Sequence, residues 1–417
     1  MGALLIVAAL AAQATTPGGS SASTSTDTAA TKINQGQTTY VDLEAGAGYS
    51  SNPQLAIVND QGSAFGRVSL RAVHSRVSTR STTLLSAYAD NVSYANHLGS
   101  QQSVSFFGRH DAAISEHARL FVDANATYQE NGQLDTQVLT LPILPPSVPG
   151  GTVTPPILIL PGGDFLSVTG REYYFGGHGG GTFALSPRDS LSLSSGVERV
   201  IFHSGLTRTS YTTIPVSLAY DRQLSARTTV GARVVASDTE YNGPANLRVI
   251  TPQVTGRALL AQNISLDGAL GVSFARTTDG LTVRHSRGIS AQANLCGQGE
   301  TSFFCARFSA DEQSATTAGP ARSISGGVDY SQRLDADQSI AFSLSATHYS
   351  TPISVVTGRT FSSASYYRAA TSYSRRFATR LFGGVNLAAR KLAQNGPDPK
   401  TDLNASLFIR YRFGDVQ

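Results

Sequence analysis

Alternation of apolar and polar positions dominates this chain. In VDLEAGAGY, Val41, Leu43, Ala45, Ala47 and Tyr49 face one way, with Asp42, Glu44 and two glycines opposite. In LFVDANATY, Leu120, Val122, Ala124, Ala126 and Tyr128 oppose Phe121, Asp123, Asn125 and Thr127. ISLDGALGVSF sets Ile264, Leu266, Leu270, Val272 and Phe274 against Ser265, Asp267 and Ser273. LNASLFIRYRF sets Leu403, Ala405, Leu407, Ile409, Tyr411 and Phe413 against Asn404, Ser406, Arg410 and Arg412. Period two sustained over roughly ten residues predicts strands with one apolar face. Such a strand is long enough to cross a bilayer at a tilt.

A longer period overlies the first. Short polar turns, each followed by an alternating run, recur at SRVSTRSTTLL, DAAISEHARLFV, FALSPRDSLSL, YDRQLSARTTV, ALLAQNISL, YSQRLDADQSI and YSRRFATRLF. Most of their centres lie about 37 residues apart, and two gaps are near twice that. LCGQGETSFFC fills one double gap as an eighth turn, and an insertion at 131–170 swells a single hairpin in the other. A fixed period of this size marks an array. Each period predicts two strands of about 12–14 residues, joined by one tight and one longer connection. Eight turns imply about 18 strands (16–18) with both ends of the chain on the tight side. The reading is all-β: a transmembrane antiparallel up-and-down β-barrel with its tight turns in the periplasm. A β-propeller would need four short strands per repeat, and neither it nor a passenger-type β-helix suits long strands with aliphatics on one side.

Composition fits that reading. Charged residues are 14% of the chain, Trp is absent and mean hydropathy is −0.09. A soluble protein usually carries more charge, and a helical membrane protein is far more apolar. The net charge is +4, yet Lys32, Lys391 and Lys400 are the only lysines. The basic residues are spread along the strands rather than gathered in an arm or patch, which argues against a nucleic-acid partner. Residues 1–14 read as a signal peptide with Ala12-Gln13-Ala14 as the cleavage site. Residues 15–37 read as a flexible low-complexity periplasmic leader, 38–413 as the barrel and 414–417 as a short tail. Cys296 and Cys305 suit a disulfide in an oxidising periplasm, with Gly297 and Gly299 permitting a tight reversal between them.

The chain offers little that looks catalytic. There is no P-loop and no G-x-S-x-G elbow, and YYFGGHGGG fails the dinucleotide spacing. Its glycines read as a bent or closely approached strand, and its His178 as a wall residue. Neighbouring pairs such as His110-Asp111 point to opposite faces of a strand, so they cannot act together locally. No enzyme, cofactor or metal site is expected. The polar face carries both signs, with Asp42, Glu44, Asp123, Asp267 and Asp329 beside Arg67, Arg71, Arg233, Arg410 and Arg412. These are the lumen-facing candidates. They make either a solvated, salt-bridged lining or an arginine ladder favouring anions. The insertion core, 138–163, holds seven prolines and two apolar runs. It reads as a lid or constriction, or alternatively as a docking arm, with Leu141, Ile143, Leu158 and Leu160 packed on the barrel or on a partner.

The repeated turns YDRQLSARTTV and YSQRLDADQSI, the early GAGYSSNP and the closing LFIRYRFG together carry a family resemblance. The chain resembles the β-barrel porin type 2 group of bacterial outer-membrane proteins, some of which accompany exopolysaccharide systems. The resemblance covers roughly residues 38–413. It implies outer-membrane insertion and a transport or export role. It also implies that Tyr411 and Phe413 belong to the signal read by the barrel-assembly machinery. The expected partners are outer-membrane lipid, that machinery during insertion, and polysaccharide or export-system proteins. The expected function is a channel for small solutes or polysaccharide. The alternative is a plugged structural or assembly barrel of an exopolysaccharide system.

Overall fold

The computed structural model describes residues 36–53, 55, 61–95, 99–130, 171–203, 209–280, 282–315, 319–350, 363–394 and 400–415. They form β1 (Gly36–Ser50), β2 (Ser63–Val77), β3 (Ser81–Tyr94), β4 (Ser100–Ala113), β5 (Ala118–Glu130) and β6 (Arg171–Ala184). There follow β7 (Asp189–His203), β8 (Tyr211–Ser225), β9 (Thr228–Tyr241), β10 (Ala245–Ala261), β11 (Ile264–Asp279) and β12 (Thr282–Gln298). The last six are β13 (Ser302–Ala315), β14 (Gly319–Arg333), β15 (Gln338–Ser350), β16 (Ala364–Ala378), β17 (Leu381–Gln394) and β18 (Lys400–Gly414). Every strand pairs antiparallel with its neighbours in the chain. β1 also pairs with β18, from Tyr40↔Gly414 to Ser50↔Asn404, so the 18-stranded sheet closes on itself.

The alternation decides which side of each strand meets which medium. On β1, Leu43 and Tyr49 point outward and are exposed, while Asp42 and Glu44 point inward and are buried. Leu120 and Val122 on β5, Leu266, Leu270 and Val272 on β11, and Leu403, Leu407 and Ile409 on β18 share the outward face. The buried polar set includes Ser69, Ser103, Ser105, Asn125, Thr213, Gln253, Ser273 and Asn386. A soluble domain has the reverse arrangement. Apolar side chains outside and polar ones inside a closed wall define a membrane-spanning barrel.

All eight tight turns fall where the repeat places them, and they share one end of the barrel with both ends of the described chain. Three details differ from expectation. The strands run from 13 to 17 residues, longer than the repeat suggested. β1 begins at Gly36 and β18 ends at Gly414, each just outside the expected barrel limits. Connections at the other end are not uniformly long: they range from 280–281, with Gly280 at φ 53°, to 131–170. The inner face also departs from the simple picture. Near this second end, Tyr174, Val200, Tyr211, Tyr241, Leu247 and Val249 make a buried apolar cluster across β6 to β10.

Short turns face the periplasm in barrels of this kind, which yields a labelling test. A tag inserted at Ala226, in the β8–β9 turn, should be shielded from antibody on intact cells. One inserted at Gly243, between β9 and β10, should be reached. The opposite pattern would invert the orientation.

Candidate functional site: the charged inner wall

The highest density of inward charge lies where the first and last strands meet. Asp42 and Glu44 are on β1, and their direct cross-strand partners on β18 are Arg412 and Arg410. Arg412 donates from Nε to Asp42 Oδ1 at 2.7 Å and from Nη2 to Oδ2 at 2.8 Å. Arg410 donates from Nε and Nη2 to Glu44 Oε2 at 2.9 and 2.8 Å. On the other side of β1, Arg67 of β2 lies 3.8 Å from Glu44 and donates to Asp90 of β3 at 2.7 Å and to the Tyr88 hydroxyl. Arg71 stands opposite Asp42 on the same inner face. Rings hold the guanidinium planes: Arg412 lies over Tyr40 and Phe382, and Arg410 over Phe408. Two-pronged arginine–carboxylate contacts fix geometry as well as charge.

The belt continues to the rim. Asp402 of β18 is fully buried. It accepts from the Ser50 hydroxyl at 2.6 Å, from the Asn52 amide at 2.8 Å and from Arg390 Nε of β17 at 2.9 Å. At the opposite rim the Thr39 amide donates to Asp415 Oδ2 at 2.6 Å, and the Asp415 amide donates back to Thr39 O at 2.9 Å. Gly414, at φ 91°, supplies the reversed backbone this exchange needs.

The remaining sequence candidates join other groups. Asp123 accepts from His178 Nδ1 at 2.9 Å, and His178 Nε2 lies 3.0 Å from Glu198 Oε1. The imidazole thus bridges β5, β6 and β7. A side chain at Gly196, opposite His178, would overlap the ring. With both nitrogens held by carboxylates, none remains to take a proton from a nucleophile, so the group is a brace. Arg233 donates to Gln253 at 2.8 Å, and Gln253 donates to Ser290 at 2.7 Å. Asp267 meets Arg257 at 3.3 Å towards the tight-turn end, and Asp329 pairs with Arg307.

Cys296 and Cys305 are direct cross-strand partners on β12 and β13, joined by a disulfide at the tight-turn end. The reversal there takes no left-handed glycine: among described residues the positive-φ glycines are Gly99, Gly280 and Gly414. Tyr411 and Phe413 face outward with ring centroids 4.7 Å apart. Leu141, Ile143, Leu158 and Leu160 lie outside the described residues. Asp90, Arg390, Asp402 and Glu198 belong to the site but escape a reading of the sequence, because only the strand register brings them to their partners. Among described residues, no group of three or more His, Cys, Asp or Glu side chains could hold a metal ion.

No protein-family model matches the chain, and no curated protein matches it in sequence. Solved structures with a similar course include the FrpB iron transporter of Neisseria meningitidis, at 8% identity and TM-score 0.44, covering 90% of this chain and 82% of that one. OpdK of Pseudomonas aeruginosa is 11% identical with TM-score 0.42, covering 90% and 98%. OpdQ of the same species is 9% identical with TM-score 0.40, covering 90% and 97%. Likeness at this level assigns no function. The class rests on the wall itself: the chain is a β-barrel of the outer-membrane type, located in the outer membrane.

Removing one partner from a buried ion pair costs about 3–5 kcal/mol. Asp402→Ala strands the buried Arg390 and should lower the heat-modifiability transition sharply. Asp238→Ala, which breaks an exposed outer-face pair with Arg248, should cost about 1 kcal/mol or less. Equal shifts in the two variants would remove the seam's claim to hold the closure.

Proposed function

We propose that the barrel is a passive channel for small polar solutes across the outer membrane, its inner charges held as matched pairs. The observation that carries this reading is a polar, charge-paired inner face on a closed 18-stranded wall. Side chains fill an eight-stranded barrel, whereas barrels of about 16–18 strands leave an aqueous channel. Polar lining is what water-filled passage requires.

The pairing pattern supports the salt-bridged lining over an arginine ladder. At the seam Arg410, Arg412, Arg67 and Arg390 each meet a carboxylate. A fixed positive row would draw anions, and here each of these four charges is matched. The inner tyrosines Tyr174, Tyr211 and Tyr241 are buried, so they present no open ring face on which a sugar could stack. This favours small solutes over polysaccharide.

In planar bilayers the purified protein should conduct, with little preference between potassium and chloride. The double variant Asp42→Asn, Glu44→Gln leaves Arg410 and Arg412 without counter-charges. It should shift the reversal potential toward chloride several-fold in permeability ratio. Silent bilayers with correctly folded protein would instead favour the plugged structural or assembly barrel. Block by oligosaccharide at low concentration would restore the polysaccharide reading.

A further inference from the structure

The outer face of the barrel is apolar along most of each strand, and on β10 to β12 that apolar run stops abruptly. On β11 the outward residues run Ile264, Leu266, Leu270, Val272 and Phe274, and the next outward residue is Arg276. Ile264 to Phe274 spans about 34 Å of strand at about 3.4 Å per residue. At a tilt near 45° this covers about 25 Å along the membrane normal, the usual height of the apolar band. On β10 the last outward apolar residue is Ile250 and the next is Arg248. On β12 Ile289 is followed outward by Arg287 and His285, with Val283 beyond them. Three adjacent strands therefore change from hydrocarbon to cation within one outward step of each other, on the end away from the tight turns.

The register draws these cations together. Arg248 and Arg276 are direct cross-strand partners, Arg276 and His285 are partners, and Arg287 stands opposite Phe274 with its guanidinium over that ring at 5.8 Å. Like charges directly opposite each other destabilise a sheet unless something neutralises them. Asp238 of β9 meets Arg248 at 2.7 Å, and Glu240 is one outward step further along β9. Among described residues, no ion pair engages Arg276 or Arg287. An arginine at the edge of the apolar band faces the layer where lipid headgroups lie, and phosphate is the anion its fork fits.

From this geometry we infer that Arg248, Arg276 and Arg287, with His285, form a docking patch for the phosphate groups of an outer-leaflet glycolipid. The acyl chains of that lipid would lie along Phe274, Ile250 and Ile289. The patch is separate from the channel lining, because it occupies the opposite face of the wall. The assignment to the outer leaflet rests on tight turns being periplasmic.

The test is native mass spectrometry of the full-length protein, released from detergent after titration with bisphosphoryl lipid A or with its dephosphorylated form. The wild-type barrel should retain the bisphosphoryl lipid and release the dephosphorylated one. Arg276→Gln or Arg287→Gln should raise the apparent Kd about five-fold each, and the triple variant including Arg248→Gln should raise it further. Arg276→Lys, which keeps the charge, should retain most of the affinity. The tight-turn-end outward variants Arg76→Gln and Arg375→Gln should change nothing. Heat-modifiable migration should persist in every variant, because the backbone ladder is untouched. Unaltered binding by the folded triple variant would overturn the proposal, as would equal weakening by the tight-turn-end controls. Displacement of the lipid by millimolar inorganic phosphate would overturn the lipid as the source and leave a free-anion site. Loss of affinity in the triple variant, with a tag at Gly243 shielded on intact cells, would overturn the leaflet assignment and leave the patch standing.

Discussion

Closure of the sheet between β1 and β18 is the constraint on which everything else depends. No water is present in the hydrocarbon layer to satisfy an open strand edge, so every backbone donor and acceptor must find a partner within the wall. Here the two strands farthest apart in sequence carry complementary charges at the same levels: Asp42 and Glu44 on one, Arg412 and Arg410 on the other. Those pairs specify the register as well as joining the edges. A slip of one residue would turn β18 over and aim its arginines at lipid. A slip of two would bring Arg412 or Arg410 opposite a residue that offers no matching charge, and would part Asp402 from Ser50.

With closure fixed, the two faces acquire different tasks. The outer face carries the hydrophobic contact with lipid. The inner face keeps its charges in pairs, which limits the cost of holding them away from bulk water. His178, between Asp123 and Glu198, extends the same device to β5–β7, and on β9–β12 Arg233 is held instead by a neutral hydrogen-bond chain through Gln253 to Ser290. At the end away from the tight turns, the apolar cluster around Leu247 and Tyr211 lines β6 to β10, while the Asp402–Arg390 group holds the seam. The inner wall is therefore uneven around its circumference, apolar at one end of β6 to β10 and charged along the seam.

Much of this was legible in the sequence, for a definite reason. Alternation in VDLEAGAGY or LNASLFIRYRF is a local signal, so each strand and the side of each residue follow from it directly. The eight tight turns are also local, and together with the period they give the strand number. What remained hidden depends on pairing across distance. Asp42 and Arg412 could be placed on polar faces, but only closure makes them partners. His178 could be read only as a wall residue, since its carboxylates come from β5 and β7, with 131–170 between β5 and β6. The inner apolar cluster was hidden differently. In Ala245–Ile250 apolar residues occur at both parities, Leu247 and Val249 inward and Ile250 outward. A period-two pattern cannot say which of these faces the lumen.

The central claim is that one parity of each strand faces lipid and the other faces a polar interior. Nitroxide labels placed singly along β18 in reconstituted bilayers read that parity directly, through collision with oxygen and with a water-soluble nickel chelate. Labels at positions 403, 405, 407 and 409 should favour oxygen, and those at 404 and 406 should favour the chelate, with a strict period of two. Flat accessibility along the strand, or the opposite phase, would contradict the account.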